Sequence, residues 1–133
     1  MAIRFQPLLA FDNRAKQGFA RIEKGSTLSF YIAEHAAGRA ALFAVMDGDK
    51  RVGSLLLSSE AKPTSGEKIL AVMAASLEGK VDKIIKEGRA FLNDYAKRTA
   101  HHTVKYYTSS PRLAAAFLQS GARAKITWNP YNG

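Results

Sequence analysis

The chain of 133 residues contains no cysteine, four prolines and one tryptophan. Without cysteine there is no disulfide framework and no thiolate-ligated metal or redox centre. No apolar run approaches the roughly 18 residues that a membrane-spanning helix needs, so no membrane insertion is expected. The opening Met1-Ala2-Ile3-Arg4-Phe5-Gln6-Pro7 lacks the basic and long apolar segments of a signal peptide, and a cytoplasmic protein is the expectation. There is no Walker A or dinucleotide fingerprint, no repeat and no low-complexity tract. No His-x-x-x-His or carboxylate cluster suggests a metal, so none is assigned.

Acidic residues are scarce in one region. None follows Asp94, while Lys97, Arg98, Lys105, Arg112, Arg123 and Lys125 lie beyond it. The formal net charge is +9. Such a chain attracts phosphates of any kind, whether of nucleic acid, coenzyme or lipid. Tyr106, Tyr107, Trp128 and Tyr131 are interleaved with these cations, a pattern that can stack bases and hold phosphates. The apolar fraction is 47%, ordinary for a globular domain. A chain of this length buries about two thirds of its unfolded surface and needs no staple. A single domain over residues 1–133 is expected.

Residues 2–6 alternate weakly and suggest a short strand ended by Pro7. Phe11, Ala15, Phe19 and Ile22 recur at helical spacing, predicting a helix over about 8–24 that stops at Gly25. Residues 27–37 suit either a helix or an extended segment. Two apolar runs, 42–46 and 52–57, flank Asp47-Gly48-Asp49 and predict a hairpin. Residues 69–75 read as a buried strand, although their alanines also allow a helix. Val81, Ile84, Ile85, Gly88, Leu92 and Tyr95 form one stripe of a helix over about 80–98. Thr103–Thr108 has strand composition. Ser110 as N-cap with Pro111 behind it opens a helix to about 120, and 123–128 reads as a last strand. Antiparallel strands early and βαβ units late make a single-domain α/β fold, a mixed sheet flanked by helices.

This order resembles the GNAT superfamily of acyl-coenzyme A N-acyltransferases. The likeness covers roughly residues 40–128, while the first 40 match only as a generic strand and helix. The family's phosphate loop, Gln/Arg-x-x-Gly-x-Gly/Ala, corresponds to Ser76-Leu77-Glu78-Gly79-Lys80-Val81. Gly79 fits the central position, Ser76 replaces Gln/Arg and Val81 replaces the last small residue. Free N–H groups at a helix start, with its positive dipole end, are suited to a pyrophosphate. Glu78 adds a carboxylate there, partly offset by Lys80 and Lys83. A second family pattern, Asn-x-x-Ala-x-x-Leu-Tyr-x-Lys-x-Gly-Phe, corresponds to Ser110–Ala122. There Ser110 stands for the Asn and Phe117 for the Tyr that in many members protonates the departing thiolate. Phenylalanine has no proton to give, so water or another group would act as acid.

The resemblance implies acetyl-CoA as cofactor, an amine as acceptor, and a coenzyme site of Met73, Ala75, Ser76, Gly79, Lys80, Val81, Ser110 and Phe117. It also implies an open cleft between strands 68–76 and 103–108. In such an enzyme a carboxylate often deprotonates the amine, and Glu60 and Glu67, at strand ends, are the candidates. Both also suit plain solvated strand-end positions. His101-His102 precedes a strand, where neighbours point to opposite faces, so one is expected inward and one exposed. Either could be a base or simply a strand-end residue. No Ser/His/Asp arrangement is recognisable, and the serines at 58–59, 65, 76 and 109–110 read as turn and cap residues. The length, eroded motifs and element order are also similar to short, basic GNAT-like proteins of bacteriophages. That likeness implies a non-catalytic virion or host-interaction protein with a phage or host protein partner. A basic nucleic-acid-binding module is the third reading.

Overall fold

The computed structural model describes residues 3–21, 26–79, 81–108 and 124–132. Their elements are β1 (Ile3–Leu8), α1 (Asn13–Ala20), α2 (Ser26–Ala36), β2 (Ala40–Asp47), β3 (Lys50–Ala61), β4 (Lys68–Leu77), α3 (Val81–Arg98), β5 (Thr103–Thr108) and β6 (Ala124–Trp128), with a 3-10 turn at Pro130–Asn132. The strands form one six-stranded sheet in the order β1-β2-β3-β4-β5-β6. The pairs β1–β2, β2–β3 and β5–β6 are antiparallel, and β4–β5 is parallel. A parallel pair cannot be joined by a tight turn, and α3 supplies the crossover. The expected helix over 111–120, with Ser110 and Phe117, lies outside the described residues.

The chain divides into two compact units, residues 1–58 with 73–81, and residues 59–72 with 82–133. The first has its core where α1 and α2 lie on the hairpin. Ala15, Phe19, Tyr31, Ala40, Leu42, Leu56 and Ala74 are buried together. Phe19 meets Phe11 and Tyr31 edge-on, at centroid distances of 5.8 and 6.1 Å. Residues 26–36 are therefore helical, because Tyr31 must be carried to that core. The hairpin turns over Gly48-Asp49, between paired Asp47 and Lys50. A bulge at Val45/Met46 shifts its register.

Two sequence expectations are corrected. Pro7 does not end β1 but pairs with Phe43 within it. An edge strand tolerates proline, because only one side of its backbone must be bonded. Helix α1 begins at Asn13 rather than residue 8. Asp12 takes an extended conformation as N-cap, and its carboxylate accepts from the Ala15 N–H at 3.0 Å.

Asp12 also ties α1 to β3. Arg51 forms an ion pair with it, with a second contact from Arg51 Nη2 to Asp12 Oδ1 at 3.2 Å, and the same nitrogen donates to Ser54 Oγ at 2.8 Å. Burial alone would raise the Asp12 carboxyl. The hydrogen bonds from Arg51 and the Ala15 N–H, with the charges of Arg51 and Arg14, outweigh it and hold the group below its ordinary value. A depressed carboxyl stabilises the fold above the unfolded-state value and loses that contribution as pH falls through the folded one. Asp12→Asn keeps a capping side chain and removes the charge. The variant should unfold at lower urea than the parent at pH 7. The gap should close as pH drops below about 4. A gap independent of pH would show that the charge contributes nothing.

In the second unit the predicted α3 stripe is buried at Ile84 and Leu92, and Ala96 extends it. Asn93, unforeseen on that face, is buried because it accepts from Trp128 Nε1. Val104 of β5 and Leu70 of β4 are buried within the same unit.

Candidate functional site

The end of β4 and the residues after it hold most of the predicted coenzyme set. Met73, Ala75 and Ser76 lie on β4, Gly79 follows it and Val81 opens α3. The backbone carbonyl of Met73 accepts from Tyr31 Oη at 3.2 Å. Ser76 is only 7% exposed and packs against Gly18 of α1, where a Cβ would stand 2.7 Å from its Oγ. The Glu78 N–H donates to the Val52 carbonyl at 2.7 Å, continuing the ladder one residue beyond the strand. Gly79 then takes φ +80°, a left-handed conformation that costs a side-chain-bearing residue about 1–2 kcal/mol. Lys80 lies outside the described residues.

Glu78 places a carboxylate beside the loop. Arg21 Nη2 donates to Glu78 Oε1 at 2.7 Å, and this hydrogen bond, with the guanidinium charge, holds the carboxyl below its ordinary value. A shallow depression open to solvent, with room for about one water molecule, lies beside them. Arg14, Arg21, Arg51, Ser54, Ser76 and Glu78 line it. Arg14 spends one donor on the Arg51 carbonyl at 3.0 Å. Arg51 is committed to Gly53, Asp12 and Ser54 through all three of its nitrogens, so capacity for an anionic group rests with Arg14 and Arg21, each a guanidinium with five donors. Residue pattern alone missed all three arginines. Asp12 as an N-cap was detectable before the helical run, but nothing in the sequence joins Arg21 to Glu78, 57 positions away.

The two proposed carboxylates lie in the second unit. Glu60, near the end of β3, pairs with Lys105 of β5. Glu67, just before β4, accepts from Thr103 Oγ1 and pairs with Lys62 Nζ at 3.1 Å. Those two hydrogen bonds, Thr103 first, hold its carboxyl below the usual range despite a small opposing effect of burial. His101 is 6% exposed, while His102 is exposed, so the pair divides as the alternation predicts. The His102 Nδ1 accepts from the Lys68 N–H at 3.1 Å. The His101 ring stands between two hydroxyls, Ser59 Oγ at 2.8 Å from Nε2 and Thr99 Oγ1 at 2.7 Å from Nδ1.

The basic C-terminal region is more engaged than its composition suggests. Arg98 pairs with Asp94 at 2.8 Å, Lys105 with Glu60, and Lys97 lies 6.0 Å from the Tyr131 ring. Arg89 covers a face of Trp128 at 4.8 Å, a face that a base would otherwise stack on. Arg112 and Arg123 lie outside the described residues. Among the described residues there is no group of three or more potential metal ligands, and no helix is long and apolar enough to cross a membrane.

No family model matches the chain, and no curated protein sequence does. Solved structures do. An IAA acetyltransferase from Bacillus cereus ATCC 14579 matches with a TM-score of 0.66 and 14% identity, over 88% of this chain and 74% of its own. An N-acetyltransferase from Staphylococcus aureus Mu50 matches at 0.64 and 10% identity, over 99% of this chain and 100% of its own. A ribosomal-protein-alanine N-acetyltransferase from Brucella melitensis biovar Abortus 2308 matches at 0.62 and 14%, over 84% and 82%. At such identities the likeness establishes the fold: a mixed six-stranded sheet with three helices among the described residues, as in GNAT acyltransferases.

Proposed function

We propose that the chain binds acetyl-CoA at the end of β4 and transfers its acetyl group to an amine acceptor. The observation that carries this reading is the junction of β4 and α3, where Gly79 takes φ +80° at the centre of the loop matched to the family's phosphate motif. Backbone N–H groups of Gly79, Lys80 and Val81 would hold the pyrophosphate, as helix starts hold anions generally. Arg21 supports this by occupying the Glu78 carboxylate. The backbone of Met73 and Ala75 would take the thioester end, with Ser76 next to them on β4; Ser110 and Phe117, which the resemblance adds to the set, lie outside the described residues. Bound acetyl-CoA supplies a thioester carbonyl open to attack by a neutral amine.

Glu60 and Glu67 are the proposed bases for that amine. The hydrogen bonds that stabilise ionised Glu67 weaken it as a base. Phenylalanine at position 117 has no proton to give, so water or another group would protonate the departing thiolate.

Calorimetric titration with acetyl-CoA tests the reading, with adenosine-only fragments as controls. Saturable micromolar binding is expected. Gly79→Val should weaken it at least about tenfold, since a β-branched residue at this φ displaces the loop amides. No heat and no thermal stabilisation at millimolar coenzyme would overturn it. One observation favours a second reading, a non-catalytic binding protein on the same fold: Ser76, at the Gln/Arg position of the motif, is buried against Gly18. A failed titration would turn the search to phage, host or nucleic-acid partners.

A further inference from the structure

Thr99, just past the end of α3, sets the state of the His101 ring. Its Oγ1 lies 2.6 Å from the carbonyl oxygen of Tyr95. A carbonyl only accepts, so the Thr99 hydroxyl proton points there. Towards His101 Nδ1, at 2.7 Å, the same oxygen can therefore only accept. The Nδ1 position of the ring carries the proton, and in the neutral ring Nε2 presents its lone pair. Ser59 Oγ, 2.8 Å away, donates to it. The result is a directed chain: Ser59 O–H to Nε2, Nδ1–H to Thr99, Thr99 O–H to the Tyr95 carbonyl. Ser59 is exposed at one end, while His101 is buried behind it. Nucleophile, base and orienting acceptor within hydrogen-bond reach are the parts from which activated serines are built.

We propose that Ser59 is the nucleophile of an acyl-transfer site acting on small, unhindered carboxylic esters, with His101 as its base and Thr99 as the positioning residue. Small esters suit a hydroxyl that stands in the open on β3. Ser59 Oγ attacks the ester carbonyl carbon as its proton passes to His101 Nε2. The C–O bond to the leaving alkoxide breaks, and the alkoxide takes that proton from Nε2. Water, deprotonated by the same nitrogen, then releases the acid and restores the Ser59 hydroxyl. The balance is ester plus water to acid plus alcohol, and no coenzyme takes part. Coenzyme titration and ester turnover therefore succeed or fail independently.

The surroundings suit a neutral base. Burial, then the charges of Lys68 and His102, hold His101 below the ordinary histidine value. Lys68 belongs to β4, and His102 precedes β5 and faces Glu67. Glu60, next to Ser59 on β3, is paired with Lys105 of β5.

The test uses the whole chain, with a fluorophosphonate probe and p-nitrophenyl acetate. Mass spectrometry should find the probe on Ser59, with exposed Ser65 as internal comparison. Release of p-nitrophenol should disappear in Ser59→Ala and fall at least about 100-fold in His101→Gln. The rate should be full at pH 7 and decline in acid, with a midpoint below that of an ordinary histidine. Thr99→Val should lower both plateau and midpoint, because the imidazolium loses its Nδ1 acceptor, and Thr99→Ser should restore both. Labelling of Ser59 no faster than Ser65 in the parent protein would overturn the proposal without any variant having to fold. So would turnover unchanged in His101→Gln. A midpoint unmoved in Thr99→Val would remove the positioning role.

Discussion

Replacing Phe19 with alanine should destabilise the protein by about 3–5 kcal/mol, within the range for large aromatic truncations in a core. Phe19 is 0% exposed, at the centre of the buried group formed by α1, α2 and the hairpin. Two aromatic edges rest on it, from Phe11 and Tyr31. The ring cannot be replaced from nearby, because both neighbours are held elsewhere. Phe11 also packs against His35 at 5.8 Å, and the Tyr31 hydroxyl is bonded to the Met73 carbonyl. Loss of Phe19 should therefore also loosen the β4 backbone at Met73 and weaken the proposed coenzyme binding beyond the loss of folded protein. Urea unfolding at pH 7 checks the first effect. Phe30→Ala is the comparison, since that ring is 52% exposed and should cost under about 1 kcal/mol. If Phe19→Ala leaves too little folded protein, Phe19→Leu should show a smaller loss of the same sign. Equal effects at positions 19 and 30 would contradict the packing described.

Gly53→Ala should cost about 3 kcal/mol, at the upper end of the overpacking range. In an ordinary strand the same change would stabilise by roughly 0.5–1 kcal/mol, because glycine loses more freedom on folding. Here a Cβ would stand 2.3 Å from the Ser76 carbonyl oxygen and 3.3 Å from Leu77 Cα. Both are backbone atoms, so no rotamer change relieves the clash. The end of β4 would have to move, straining the Glu78 N–H bond to the Val52 carbonyl. Ser76 and Gly79 would move with it. The variant should thus lose stability together with the proposed acetyl-CoA binding, read by urea unfolding and by titration. A stabilised Gly53→Ala protein would show that the two strands do not approach as described.

The sequence was most legible where one periodicity ran unopposed. The α3 stripe, the Asp47-Gly48 hairpin and the β-branched run at 103–108 all became the elements they suggested. Residues 69–75, open to either reading, became β4 because partners existed on both sides in the sheet. Residues 26–36 became α2 because Tyr31 is buried in a core shared with Phe19. Pro7 misled because its effect depends on whether a strand has one neighbour or two. Only the sheet order answers that question.

Local chemistry in the chain determined α3, the Asp47-Gly48 hairpin, the strand at 103–108 and the glycine at position 79 of the loop. These follow from torsional preference and periodicity, which act over a few residues. The tertiary structure alone decided that Arg21 occupies Glu78, that Arg51 joins Asp12, and that Ser59 meets His101. Those partners are 57, 39 and 42 positions apart. Hydrogen bonds and ion pairs at such separations arise only once strand register and helix docking bring the side chains within about 3 Å of one another, and no local pattern encodes that meeting.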